Sequence, residues 1–176
     1  GRHYRIRDNG LEGDVMLPSS KPYHPAKNHR LAPELYTVAG QVYFMTICAY
    51  LGQKPFVRDD LNRLIIDILR EEQERQRFAV YVYCLMPDHL HFLVSPIEHG
   101  VSVLQFTDQF KGKTTNRSWD IGWRGKLWQP RYYDHIVRTD ESVQAIAEYI
   151  IYNPVRRELV EQPDEWPWSG MLTPMW

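Results

Sequence analysis

Residues 78–94 read FAVYVYCLMPDHLHFLV, two apolar runs rich in β-branched and aromatic side chains with only Pro87-Asp88 between them. Such runs favour strands, and a two-residue break built from Pro and Asp leaves room only for a hairpin. An antiparallel pair, 78–86 against 89–94, therefore anchors the fold, and the rest of the chain must cover its faces. Residues 41–48 (QVYFMTIC) read as an earlier strand. Between them, Asp59 or Asp60 can cap a helix in which Leu61, Leu64, Ile65, Ile68 and Leu69 recur at three- and four-residue spacings. The charged run from Arg70 to Arg75 reads as its solvated end. A second helix is expected over 101–111, a fourth strand within the aromatic stretch 128–137, and a third helix from Thr139 or Asp140. The order is strand, helix, strand, strand, helix, strand, helix. It predicts an α+β fold, a ferredoxin-like four-stranded antiparallel sheet with helices on one face and a further C-terminal helix.

The 176 residues suit one domain, which we place at 41–160. Residues 1–40 hold prolines without sustained periodicity and read as an extended arm. Residues 161–176 form a tail whose Trp166, Trp168 and Trp176 are expected to pack on the domain. With 24% charged and 43% hydrophobic residues, the chain is neither disordered nor membrane-spanning. Cys48 and Cys84, with no secretory leader ahead of them, suggest a reducing, cytoplasmic setting and small buried roles rather than a disulfide framework. The net charge of -1 gives no overall signature of a nucleic-acid binder. That total conceals a local excess. Between residues 111 and 138, Lys111, Lys113, Arg117, Arg124, Lys126, Arg131 and Arg138 face only Asp120 and Asp134. Those seven cations are candidate phosphate contacts, and Trp119, Trp123 and Trp128 offer stacking platforms for unpaired bases. A solvated loop with core tryptophans would have the same composition.

Two constellations carry chemistry. The strand period places His89 and His91 on one face and Leu90 and Phe92 on the other, so two imidazoles can converge on one cation. His-x-His also occurs in strands that bind nothing, and a third ligand is needed for a metal site with open positions. Mixed nitrogen and oxygen ligation permits Mg²⁺, Mn²⁺ or Zn²⁺, the first two being favoured where phosphate oxygens contribute. Further along, Tyr149 and Asn153 lie four residues apart, hence on one helical face, while Val143, Ile146, Ala147 and Ile150 serve the packed side. Pro154 tends to end that helix beside Asn153. By themselves, Tyr149 also fits a surface aromatic and Asn153 a C-terminal cap.

Taken in order, YFMTI at 43–47, LMPDHLHFL at 85–93, WQPRYYDHIVR at 128–138 and YIIYNPVR at 149–156 resemble the single-tyrosine transposases with a His-hydrophobe-His motif, especially their repeat-associated branch. The resemblance covers about residues 41–160. It implies that His89, His91 and Asn153 hold Mg²⁺ or Mn²⁺, and that Tyr149, on the C-terminal helix, is the nucleophile. It further implies cleavage of single-stranded DNA through a 5′-phosphotyrosine with a free 3′-OH, followed by strand transfer on hairpin-forming repeats. Such enzymes act as monomers or homodimers. Asp134 and His135 match positions close to the site, with their roles open. A repeat-DNA-binding protein that has lost cleavage is the alternative, and a metal-dependent RNA nuclease a more distant one.

Overall fold

The computed structural model describes residues 30–139 and 141–175. Strand β1 (Tyr43–Cys48) is followed by α1 (Asp59–Arg75), β2 (Phe78–Met86), β3 (His89–Pro96) and α2 (Val103–Asp120). Then come β4 (Tyr133–Ile136), α3 (Val143–Ile151), the single turn α4 (Asn153–Arg156) and β5 (Ser169–Met171). The expected hairpin is present, with Met86 facing His89 across Pro87-Asp88. All pairings are antiparallel, in the order β4-β1-β3-β2-β5.

Alternation along the strands divides the protein into two cores. Tyr43, Met45 and Ile47 of β1 and Leu90, Phe92 and Val94 of β3 meet the apolar stripes of α1 and α2, including Leu61, Ile65, Phe106 and Phe110. Phe44 and Leu93 turn the other way, onto Ala147 and Ile150 of α3. In strand β2 the register shifts between Val80 and Val82, which changes the residues that face each core. Phe78 and Val80 reach the α1/α2 side before this bulge, and Tyr83 and Leu85 reach it afterwards. Without the extra residue, the second half of β2 would present its other face. Truncating a buried side chain such as Phe92 to Ala would cost ~3–5 kcal/mol.

Several boundaries differ from expectation, each for a local reason. A fifth strand, β5, extends the sheet beyond the four expected; three residues of Ser-Gly-Met show no alternation that sequence periodicity could register. Strand β4 is limited to Tyr133–Ile136, and Trp128 contributes only an isolated bridge to Ala49. Pro130, which has no N–H for a ladder, lies between them. Helix α2 continues past residue 111 to Asp120 through Gly, Thr and Asn, which are poor helix formers. The hydroxyls of Thr107, Thr114 and Thr115 donate to the carbonyls of Val103, Phe110 and Lys111, and buried Thr114 also accepts from Trp128 Nε1 at 2.8 Å. Helix α3 starts at Val143, capped by Ser142 Oγ accepting from Ala145 N, rather than near Thr139. At the start of α1 the cap position is Arg58, whose guanidinium grips Asp60. The 70–75 run is not wholly solvated: Glu72 and Gln73 are buried.

Most of the expected arm, residues 1–29, lies outside the described residues. Within 30–40 the chain makes a short turn at Pro33–Tyr36, and the Tyr36 ring is buried against Tyr43. In the tail, Trp166 packs toward the α3 core and donates from Nε1 to Leu85 O, while Trp168 packs toward the other core. Trp176 lies outside the described residues.

Candidate active site

The β3 period sends His89 and His91 to the α3 side of the sheet, opposite Leu90 and Phe92, where both imidazoles are buried. Their Nε2 atoms face each other at 3.1 Å. On its outer side, His89 Nδ1 lies 2.6 Å from Asp88 Oδ1, and His91 Nδ1 lies 2.8 Å from Thr46 Oγ1 on β1. A carboxylate only accepts, so Nδ1 of His89 carries the proton and its Nε2 presents a lone pair inward. The same hydrogen bond holds the Asp88 carboxyl below its ordinary pKa. Burial, reinforced by His89 and the guanidiniums of Arg156 and Arg157, pushes His91 well below the usual imidazole value. The buried His91 ring is therefore suited to present a neutral nitrogen donor to a cation.

The third group arrives from α4. Helix α3 ends at Ile151, Tyr152 forms the junction, and Pro154 cannot donate a backbone hydrogen bond to continue the helix. Asn153 is buried at this break, its side-chain Nδ2 donating to His89 Nε2 at 3.2 Å. An amide turned end for end presents Oδ1 at the same place. Among the described residues no three His, Cys, Asp or Glu side chains converge as a metal cage, and the Asn153 amide is the third polar side chain that meets the His pair, at His89 Nε2. Two Nε2 atoms and a rotatable amide directed at one point fit a divalent cation with open coordination positions.

Tyr149 sits one turn before Asn153, partly buried. Its ring lies 6.4 Å from that of His91 and 6.4 Å from that of Phe44, measured between centroids. The Arg156 guanidinium lies over the same ring, 3.9 Å from its centroid. His89, His91, Tyr149 and Asn153, separated by up to 64 residues, are thus brought together.

The sheet divides the remaining candidates. Lys111, Lys113 and Arg117 lie on α2, across the sheet from the histidines. Lys111 Nζ donates to Pro130 O and lies 5.1 Å from the Tyr132 ring centroid. Lys113 is held by Glu71 and Glu72, and Arg117 lies 3.7 Å from Asp120. Arg124 donates to the carbonyls of Trp119 and Trp123, and Lys126 lies over the Tyr50 ring. Arg131 and Arg138 are exposed. Trp119 is exposed, Trp123 packs partly on the core, and Trp128 is buried as a core anchor, which removes it from the stacking platforms. Asp134 shares a register position with Met45 and lies on the α1/α2 side, 3.8 Å from Arg30. His135 shares one with Phe44 and meets Glu141 at 2.9 Å. Sequence reasoning missed Thr46, Asp88, Arg156 and Arg157. Only Asp88 had a local signal, an acid directly preceding His-x-His.

The family described as "Transposase IS200 like" matches residues 38–153, from β1 through Asn153. The chain belongs to this family. Among relatives of this IS200-like transposase, a Haemophilus influenzae protein provisionally named a REP-associated tyrosine transposase is 29% identical over 141 residues, spanning 74% of this chain and 80% of the relative. The REP-associated tyrosine transposase of Escherichia coli is 23% identical over 134 residues, spanning 76% and 78%. A solved structure of a REP-associated tyrosine transposase bound to a REP hairpin matches with a TM-score of 0.63 and 21% identity over 82% of each chain, a likeness of fold. Among the described residues, no helix is long and apolar enough to cross a membrane.

Proposed function

We propose that this IS200-like transposase is a metal-dependent single-stranded DNA endonuclease and strand transferase that acts on hairpin-forming repeats, with Tyr149 as nucleophile. The convergence of His89, His91 and Asn153 beside Tyr149 carries the reading. The REP-associated names of its relatives, and the hairpin bound by one of them, support a structured DNA substrate.

The Tyr149 phenol gives up its proton and its oxygen attacks the scissile phosphorus. The new Tyr–O–P bond replaces the P–O3′ bond, and the departing 3′ oxygen takes a proton to become a hydroxyl. The product is a 5′-phosphotyrosine that keeps the phosphodiester's transfer potential, so a second 3′-OH can later displace Tyr149 without ATP. His89, His91 and Asn153 would hold a Mg²⁺ or Mn²⁺ ion, which would supply Lewis-acid stabilisation of charge on the phosphate oxygens. Asp88 and Thr46 fix the two imidazoles from outside. This proposed ligand set contains no carboxylate, so metal affinity is expected to be modest and to rise when a DNA phosphate is bound.

A labelled structured single-stranded DNA incubated with Mg²⁺ or Mn²⁺ should yield a protein–DNA adduct that survives a denaturing gel, whereas matched RNA should not. Tyr149→Phe should abolish the adduct with hairpin affinity unchanged. An undiminished adduct in that variant would sink the assignment of Tyr149.

A further inference from the structure

Arg156 makes two contacts to Tyr149 that the chemistry above does not use. Its guanidinium lies over the ring, 3.9 Å from the centroid, and its Nη2 donates to the Tyr149 backbone carbonyl at 2.6 Å. That carbonyl belongs to the last turn of α3, where helix carbonyls lack intrahelical donors. The Tyr152 junction and the single turn α4 carry residue 156 past the end of α3, and its long side chain reaches back to that carbonyl. Desolvation is unfavourable for this half-buried cation and pushes its pKa down, while the Tyr149 side chain opposes that shift through charge and a hydrogen bond.

We propose that Arg156 is a positioning residue for the nucleophile. It clamps Tyr149 at two points, ring face and backbone carbonyl, and so holds the phenol at a set orientation beside His91 and Asn153. A planar guanidinium suits both tasks, since it stacks on an aromatic face while its edge donates hydrogen bonds. A phenol on a frayed helix end would sample many orientations, few of them aligned for in-line attack, so the clamp supplies alignment rather than affinity. The inference rests on Tyr149 being the nucleophile, and adds a residue from beyond the 38–153 family match.

The test uses the full chain and a labelled hairpin oligonucleotide on which the unmodified protein forms its Tyr149 adduct. Arg156→Gln, Arg156→Lys and Arg156→Met are compared by hairpin affinity without metal, single-turnover adduct rate at saturating DNA and metal, and thermal melting. Arg156→Gln is expected to bind the hairpin within a few-fold of the parent while forming adduct roughly ten- to a hundredfold more slowly. Arg156→Lys, which retains charge and a donor but no flat face, should recover part of that rate; Arg156→Met, which retains only the stem, should not. If Arg156→Gln does not fold, the contrast between Lys and Met decides. A rate within twofold of the parent in Arg156→Met overturns the proposal. So does a defect that disappears at saturating DNA, which would make Arg156 a DNA contact. Failure of the underlying reading looks different: the unmodified protein gives no adduct, or Tyr149→Phe still gives one.

Discussion

Asp88 shows how one side chain outside the proposed ligand set can govern it. Its carboxylate accepts from His89 Nδ1, which fixes the ring's tautomer and directs Nε2 toward His91 and Asn153. Partners of this kind commonly change metal affinity by ~10–100-fold. Asp88→Ala is therefore expected to raise the Mn²⁺ concentration that half-saturates adduct formation by about that factor, with the maximal rate much less affected. A metal titration following the gel-stable adduct checks this, and an unchanged half-saturation point would contradict it. Chelation with excess EDTA should abolish the adduct in the parent, and added Mn²⁺ should restore it. Spacing put His89 and His91 on one strand face and Tyr149 and Asn153 on one helix face, and the roles expected of them came from the family resemblance. Thr46, Arg156 and Arg157 were not legible in the sequence, because their roles depend on which elements are neighbours.

At the scale of elements, α1 and α2 are tied by a buried carboxylate. The Glu72 side chain accepts from Arg75 and Gln76 on or just beyond its own helix and from Lys113 on α2. Led by the Arg75 hydrogen bonds, these contacts pull Glu72 from the ordinary 4.5 down to about 2. The lowered folded pKa means that the stabilisation is complete above the unfolded value near 4.5 and is lost as the pH falls toward 2. Arg75 is more than half exposed, so solvent screens part of the interaction. Glu72→Gln is expected to cost ~1–2 kcal/mol at neutral pH. In urea denaturation across pH, the gap between parent and variant should close as the pH approaches 2; a gap that persists there would contradict the linkage. In the sequence, this run of alternating charges looked like a solvated helix end. Only the neighbouring helix makes it a buried junction.

The whole molecule has two faces with different work. The sheet separates Lys113 and Arg117 on α2 from the histidine site, while Arg156 and Arg157 follow α3 and act electrostatically on His91. The local excess of positive charge in 111–138 therefore has its α2 members on the face away from the histidines. Arg157→Ala is expected to weaken hairpin binding and reduce the slope of log affinity against log salt by about one unit. Arg117→Ala, whose side chain pairs with Asp120 on the same helix, on the face away from the histidines, should leave the slope unchanged. Binding measured by anisotropy at several salt concentrations distinguishes the two, and equal slopes for both variants would remove this division of labour.

The hairpin, the face on which the histidines lie and the four-residue link from Tyr149 to Asn153 were determined by the sequence alone, because they follow from local periods of two and about 3.6 residues. So were the α+β class and, through its motifs, the transposase family. The tertiary structure decided the rest. It set the length of α2, whose threonines are sustained by backbone carbonyls and by Trp128, and it recruited β5 from a segment with no strand pattern. It also placed Arg156 over Tyr149 and put the basic residues of α2 behind the sheet. The placement of β5 and of α2 behind the sheet depends on contacts between segments far apart in the chain, and that of Arg156 on a helix break at Tyr152 that no local period describes, so a side chain's neighbours there are set by packing rather than by local pattern.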